Sequence, residues 1–140
     1  ISLLVGKSMS GAFLAHGYQA NRIIALKDTG VMVHAMGKES AARVTLRTVD
    51  ELEKLAASIP PMAYDIESYA TLGLLSDLLT VVNPEQPTIE DIASVQNAFL
   101  HALNDIQATA STGLEHRLDG ENRQASKKVR ELLREQWYAD

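Results

Sequence analysis

The 140-residue chain contains no cysteine. This absence excludes disulfide bonds, thiolate metal ligands and cysteine nucleophiles, and it leaves the redox compartment open. Long apolar runs are also missing. The most apolar stretch, residues 71–82, is twelve residues long and contains Asp77, so it predicts a buried helix rather than a membrane span. We therefore expect no membrane partner and a cytoplasmic location.

Basic residues are absent from residues 61–112, which carry seven Asp or Glu and no Lys or Arg. By contrast, residues 1–60 carry seven basic and five acidic residues, and residues 113–140 carry six of each. One interpretation is an acidic face exposed to water. The other is a docking surface for a basic protein partner. The candidate residues of that surface are Asp65, Glu67, Asp77, Glu90, Asp91 and Asp105.

The first third of the chain predicts strands. Two runs rich in β-branched residues, 22–27 and 31–36, flank a turn at Gly30, as expected of an antiparallel hairpin. Residues 43–47 then alternate between polar and apolar side chains, which predicts a half-exposed strand. Together these runs predict an antiparallel meander of about three strands.

Helices are predicted for the rest of the chain. Thr48 caps a helix that ends at Pro60-Pro61, a second helix covers residues 63–82, and Thr88 caps a third. Residues 114–137 predict a last helix, whose polar first half around Gly120 forms either an exposed arm or a break. The predicted fold class is α+β, with the meander followed by three to four packed helices. One domain, 1–140, would comprise a mainly β part with one helix (1–60), an acidic helical core (61–112) and a C-terminal helical arm (113–140).

Motifs for catalysis or cofactor binding are weak. Gly6-Lys7-Ser8 lacks the glycine that a phosphate-binding loop needs five residues earlier, and Ile1 stands there. The same segment misses the nucleophile-elbow pattern by one position. His101 and Asp105 lie four residues apart on one predicted helix, which is too few ligands for a metal. We therefore predict no catalytic residues, no metal and no cofactor.

Residues 43–59, "RVTLRTVDELEKLAASI", resemble the start of a ribbon-helix-helix repressor. The resemblance implies a dimer whose paired strands enter the DNA major groove. It assigns Arg43, Thr45 and Arg47 to contacts with bases or phosphates, and Val44 and Leu46 to the dimer core. A DNA-binding regulator is the alternative function that follows from this resemblance.

The leading hypothesis is a non-enzymatic interaction or regulatory module that uses the acidic surface and associates with a protein partner or a second copy of itself. At the end of the last predicted helix, Trp137 and Tyr138 are candidate interface anchors. A third hypothesis is a small-ligand pocket or enzyme near His34. A deep cavity with polar lining beside His34 or His101 would favour this third hypothesis.

Overall fold

A computed structural model describes residues 1–110 and 113–137. The strands are β1 Ser2–Leu4, β2 Lys7–Met9, β3 Ile23–Leu26, β4 Met32–His34 and β5 Asp77–Leu79. The helices are α1 Ser10–His16, α2 Lys38–Thr45, α3 Val49–Ala56, α4 Ile66–Ala70, α5 Ile89–Ala108 and α6 Gln124–Trp137.

The strands form two small parallel sheets, with the order β1-β3-β5 in one and β2-β4 in the other. The chain runs through one strand of each sheet and then into a helix, first as β1-β2-α1 and then as β3-β4-α2. The first strands of the two units pair with each other, and so do the second strands. The predicted antiparallel meander is therefore wrong.

The predicted hairpin fails because its two strands belong to different sheets. The turn between them is closed by the Gly30 N–H, which donates to Asp28 Oδ1 at 2.7 Å, and by the Val31 N–H, which donates to the Asp28 carbonyl at 3.0 Å. All four residues of β3 are buried. A strand covered on both faces is apolar at every position, as is typical of a parallel sheet rather than a hairpin with one wet face.

The predicted strand at 43–47 is also wrong, because residues 38–45 form α2. Ala41 and Ala42 are buried and pack with Leu52 of α3, which gives this segment a helical contact surface. Leu46 ends the helix in the left-handed conformation, with φ at 55°. Alternation over five residues fits a strand, but it does not exclude a helix that buries small residues on one side.

Two helix predictions are confirmed at their N-termini. The Thr48 hydroxyl accepts from the Glu51 N–H at 3.2 Å, and Glu51 accepts from the Thr48 N–H at 2.8 Å, which completes a capping box on α3. Thr88 and Asp91 form the same reciprocal pair at the start of α5. Such caps involve residues three positions apart, so the local sequence is enough to predict them.

The helix predicted over residues 63–82 is wrong. Only α4 is helical there, and the chain then turns through Gly73 into β5. Gly73 has φ at 67°, and a Cβ on it would lie 2.8 Å from Gly120 Cα. A Cβ on Gly120 would in turn meet the Leu72 carbonyl oxygen at 2.1 Å. This contact between two glycines, far apart in sequence, requires backbone that carries no side chain.

The main core lies around β3, where Ile23 and Ile24 are fully buried. Ile23 packs with Ile66 and Tyr69 of α4, whereas Ile24 faces Ala98 and Ala102 of α5. In contrast, α6 has no buried residue.

No helix in the described part of the chain is long and apolar enough to cross a membrane. The division into a single domain with three parts stays a prediction.

Candidate functional site

The carboxyl ends of β2 and β4 lie side by side, because Met9 pairs with His34 in a parallel register. α1 begins directly after β2, and α2 begins at Lys38, with three residues between it and the end of β4. Two helices therefore start at the same edge of one sheet. In parallel sheets, ligands bind outside the carboxyl ends of the strands.

These two helices differ from the next three in how they begin. α3, α4 and α5 are each capped by a side chain, namely Thr48, Asp65 and Thr88. α1 and α2 follow Met9 and Gly37, and neither of these residues gives a side-chain cap. The first N–H groups of a helix have no partner within the helix. At this edge no side-chain cap from Met9 or Gly37 satisfies those donors.

Three polar side chains of different chemistry gather beside this edge. The His34 and Tyr64 rings stack with centroids 4.0 Å apart and planes inclined by 6°. The Tyr64 hydroxyl donates to the Met36 carbonyl at 3.2 Å. Lys38 Nζ lies 5.5 Å from the Tyr64 ring centroid and donates to Glu53 Oε1 at 2.7 Å. The cluster thus brings together residues from four parts of the chain: His34 of β4, Lys38 of α2, Glu53 of α3 and Tyr64 from the segment before α4.

The environment sets the protonation of these groups. Burial lowers the pKa of His34, although the backbone at Met36 and Met62 opposes this effect, and the neutral imidazole is favoured at pH 7. Burial raises the pKa of Tyr64, and the hydrogen bond to Glu53 raises the pKa of Lys38. His34 Nδ1 is buried and has no hydrogen-bond partner among the described residues.

Two cavities adjoin the cluster. One of about 430 Å³ is lined by Lys38, Glu53, Tyr64 and Asp65, among others. The other, of about 230 Å³, is lined by His34 and Tyr64 together with mostly apolar residues. The first combines these charged and hydroxyl groups with a mainly apolar lining that does not include His34, and Tyr64 borders both cavities. The sequence indicated His34 but gave no reason to connect it with Lys38 or Tyr64.

A separate cavity of about 400 Å³ lies beside His101 and is also lined by Arg22, Asp105 and His116. Arg22 Nε donates to Asp105 Oδ2 at 2.6 Å, which makes Asp105 the counter-ion of a nearly buried arginine. Although two histidines and an aspartate border this space, no described group of His, Asp or Glu is arranged to hold a metal ion.

Several acidic residues of the predicted docking surface have partners within the chain. Asp65 caps α4, and Asp91, which is 5% exposed, accepts from the N–H groups of Val82 and Thr88. Glu67 pairs with Lys27 at 2.7 Å. Asp77 lies on β5 beside Ile24, Glu90 lies in the first turn of α5, and Asp105 binds Arg22. A docking role for these residues stays a prediction.

The remaining predicted site residues lie elsewhere. Arg43 and Thr45 are on α2 and Arg47 follows it, so these residues form no β-ribbon. The Thr45 hydroxyl donates to the Ala41 carbonyl of its own helix at 2.7 Å. Trp137 ends α6 and is 83% exposed. Tyr138 lies outside the described residues. The DNA-binding alternative is therefore wrong, because its reading strand is a helix.

A family model described as the malonate decarboxylase gamma subunit matches residues 1–137. This chain belongs to the malonate decarboxylase gamma-subunit family. It is 28% identical over 119 residues to the malonyl-S-ACP:biotin-protein carboxyltransferase MADD of Malonomonas rubra, and the match covers 84% of this chain and 37% of that protein.

Solved structures of Pseudomonas malonate decarboxylase are similar to this chain. One is a hetero-tetramer in complex with coenzyme A, with 62% identity and a TM-score of 0.89 over 96% of this chain and 51% of that chain. Another is an MdcD-MdcE hetero-dimer, with 60% identity and a TM-score of 0.79 over 96% of this chain and 49% of that chain. The chain thus spans about half the length of these solved relatives.

Membership of the malonate decarboxylase gamma-subunit family overturns the leading hypothesis. A non-enzymatic regulatory module is wrong, because the family supplies a subunit of an enzyme complex. The prediction of a protein partner is supported in its general form, since the solved relatives are hetero-oligomers. Nucleic acid gains no support, and self-association is not confirmed.

A sequence signal for this site lies around Gly6-Lys7-Ser8, although this segment matches neither the phosphate-binding loop nor the nucleophile elbow. The segment from Gly6 to Gly11 is where β2 passes into α1, and no atom lies within 4 Å of the position a Cβ on Gly11 would take. A strand that leads into an uncapped helix through small residues is a feature of ligand sites. β4 and α2 repeat this arrangement beside it.

Proposed function

We propose that this chain takes part in removing or transferring the carboxyl group of a malonyl thioester, within an enzyme assembled from different subunits. Membership of the family and the names of its relatives support this reaction class. The observation that carries the proposal is the shared edge of β2 and β4, where α1 and α2 begin without side-chain caps.

The chemistry of the reaction explains why such an edge is useful. When the bond between the carboxylate and the α-carbon breaks, its electron pair stays on the substrate and becomes an enolate, with negative charge on the thioester oxygen. The carboxyl group departs as CO₂ or passes to an acceptor, and in decarboxylation the α-carbon then takes up a proton. N–H donors fixed in position before the reaction stabilise that oxygen without a cost of reorganisation.

In this proposal the uncapped N–H groups of α1 and α2 face the developing oxyanion. The His34, Lys38 and Tyr64 cluster forms the adjacent wall, with a charged ammonium and a protonated phenol available for polar contacts to the substrate. The other subunit closes the remaining side of the site. The partner is a different protein chain, as in the hetero-oligomeric relatives, rather than a second copy of this one.

Gly11→Ala tests the site. A helical Cβ points towards the N-terminus of its helix, so the methyl group would project into the space the thioester would occupy. We expect kcat/KM for malonyl thioester to fall about 10- to 100-fold in the intact protein assembled with its partner subunits. The melting temperature should stay unchanged or rise, because alanine favours a helix more than glycine does.

Gly6→Ala is the matched control, since a Cβ there also has no atom within 4 Å, and Gly6 precedes β2 rather than opening a helix. Its turnover should remain close to that of the unmodified protein. Full activity in Gly11→Ala, with release of CO₂ as the readout, would contradict the placement of the site at this edge.

A further inference from the structure

A cavity of about 560 Å³ lies against the C-terminal segment. Its lining contains Arg117, Arg123 and Arg130, together with Glu115, Tyr18 and Leu118. Three arginines thus face one glutamate around a single concave space. We refer to it as the arginine cavity.

Arg117 is the buried member of this group and is only 5% exposed. One terminal nitrogen donates to the Tyr18 carbonyl at 2.8 Å, and the other donates to the Ala20 carbonyl. Both acceptors are neutral. Arg117 Nε is buried without a hydrogen-bond partner, and no ion pair to Arg117 occurs among the described residues.

A buried guanidinium without a counter-ion is costly, because it loses its hydration and gains no opposite charge. Burial accordingly lowers the pKa of Arg117, Tyr69 and Tyr18 partly oppose this effect, and the Arg22 and Arg123 charges add to it. The side chain next to Arg117 is also positively charged, because the Arg123 guanidinium donates to the Arg117 carbonyl at 2.6 Å. Arg130 reaches the same cavity from α6 and forms no ion pair with any described residue.

We propose that the arginine cavity binds a phosphate or diphosphate group. Three guanidinium groups and one carboxylate leave an excess positive charge that a dianion balances, and guanidinium groups hold phosphate oxygens through paired, charge-assisted hydrogen bonds. The group comes either from free phosphate or from a phosphorylated coenzyme. The proposal does not rest on the proposed decarboxylation chemistry, because no residue of the His34, Lys38 and Tyr64 cluster lines the arginine cavity.

Inorganic pyrophosphate is the probe that tests the site, titrated by calorimetry into the intact protein in a buffer of low ionic strength. Arg130→Gln removes an exposed side chain on α6 and leaves the Arg117 contacts in place. We expect it to weaken pyrophosphate binding by about 10-fold or more, the effect of losing a charged hydrogen bond. Lys128→Gln, with the same loss of charge on α6 outside the cavity lining, should change the affinity less than about 2-fold.

Coenzyme A, titrated in competition with pyrophosphate, distinguishes the two sources. Displacement of pyrophosphate by coenzyme A, with an affinity that Arg130→Gln also weakens, would assign the site to a coenzyme phosphate. Pyrophosphate binding that coenzyme A does not affect would assign it to free phosphate. Binding of neither ligand, or equal losses in Arg130→Gln and Lys128→Gln, would overturn the proposal.

Discussion

His34 combines a buried ring nitrogen, a stacked tyrosine and a lowered pKa. A histidine whose pKa is lower in the folded state binds protons more readily when the chain unfolds. Its contribution to stability is therefore complete above the unfolded pKa, near the ordinary value of 6.5, and is lost as the pH falls through and below that value. Stability falls with decreasing pH because burial disfavours the charged imidazolium.

His34→Gln should make stability less dependent on pH. We expect the free energy of unfolding to fall less steeply between about pH 7.5 and about pH 5.5 in this variant than in the unmodified protein. Urea unfolding at a series of pH values measures the difference. His101→Gln, an exposed position on α5, is the control and should retain the original slope.

A residual slope is expected in His34→Gln, because burial also lowers the pKa of His116, and the nearby Arg22 charge adds to the effect. If His34→Gln and His101→Gln showed the same pH dependence as the unmodified protein, burial of the His34 ring would not control its titration.

The end of α2 is unusual among the described helices, because a leucine adopts the left-handed conformation there. Leu46 has φ at 55°, and its side chain is 94% exposed, so it gains little from packing. The turn is closed by the Arg47 N–H, which donates to the Ala42 carbonyl at 2.9 Å. Glycine adopts this conformation without the clash of a Cβ, whereas in other residues the conformation costs about 1–2 kcal/mol.

Leu46→Gly should stabilise the protein by about 0.5–1 kcal/mol, since relief of the backbone strain exceeds the extra entropy that glycine brings to the unfolded chain. Thermal or urea unfolding measures the change. Leu46→Ala is the control, because it removes the exposed side chain but keeps a Cβ at positive φ. Equal stabilisation by alanine and glycine would show that the gain in stability does not come from relief of the left-handed backbone.

Elements defined by neighbouring residues were predictable, and those defined by distant contacts were not. The caps at Thr48 and Thr88 need only a partner three residues away, and both were predicted correctly. Residues 71–82 have the composition of a buried helix, yet Gly73 ends the helical path and the following residues pair with β3 as β5. Hydrophobic periodicity does not distinguish a short buried strand from a buried helix.

At the scale of the whole molecule, α6 presents an unpacked apolar face. Val129, Leu132, Leu133 and Trp137 are between 45% and 83% exposed. The solved relatives are hetero-oligomers, and we propose that a different subunit covers this face. Exposed aromatic and aliphatic side chains become strong contributors to affinity when a partner buries them.

Trp137→Ala should weaken association with the partner subunit by about 10-fold or more and leave the melting temperature of the free protein unchanged, because the side chain is exposed in the free chain. Sedimentation or calorimetry with the purified partner measures the affinity. Lys128→Ala, an exposed charge on the same helix, should have little effect. Concentration-dependent self-association lost in Trp137→Ala would assign the face to a second copy instead.

The sequence by itself determined what depends on composition and short spacing. It excluded cysteine chemistry, and it marked the capped starts of α3 and α5 and singled out His34. These features involve single residues or pairs within one helical turn, where local geometry is sufficient.

Only the tertiary structure decided the direction of the strands and the composition of the site. Parallel pairing joins β1 with β3 and β2 with β4 across more than twenty residues, and the apolar runs alone do not specify which strands meet. The His34, Lys38 and Tyr64 cluster and the arginine cavity arise from the same long-range packing. Their chemistry depends on distances between residues that are remote in sequence, and the folded backbone sets those distances.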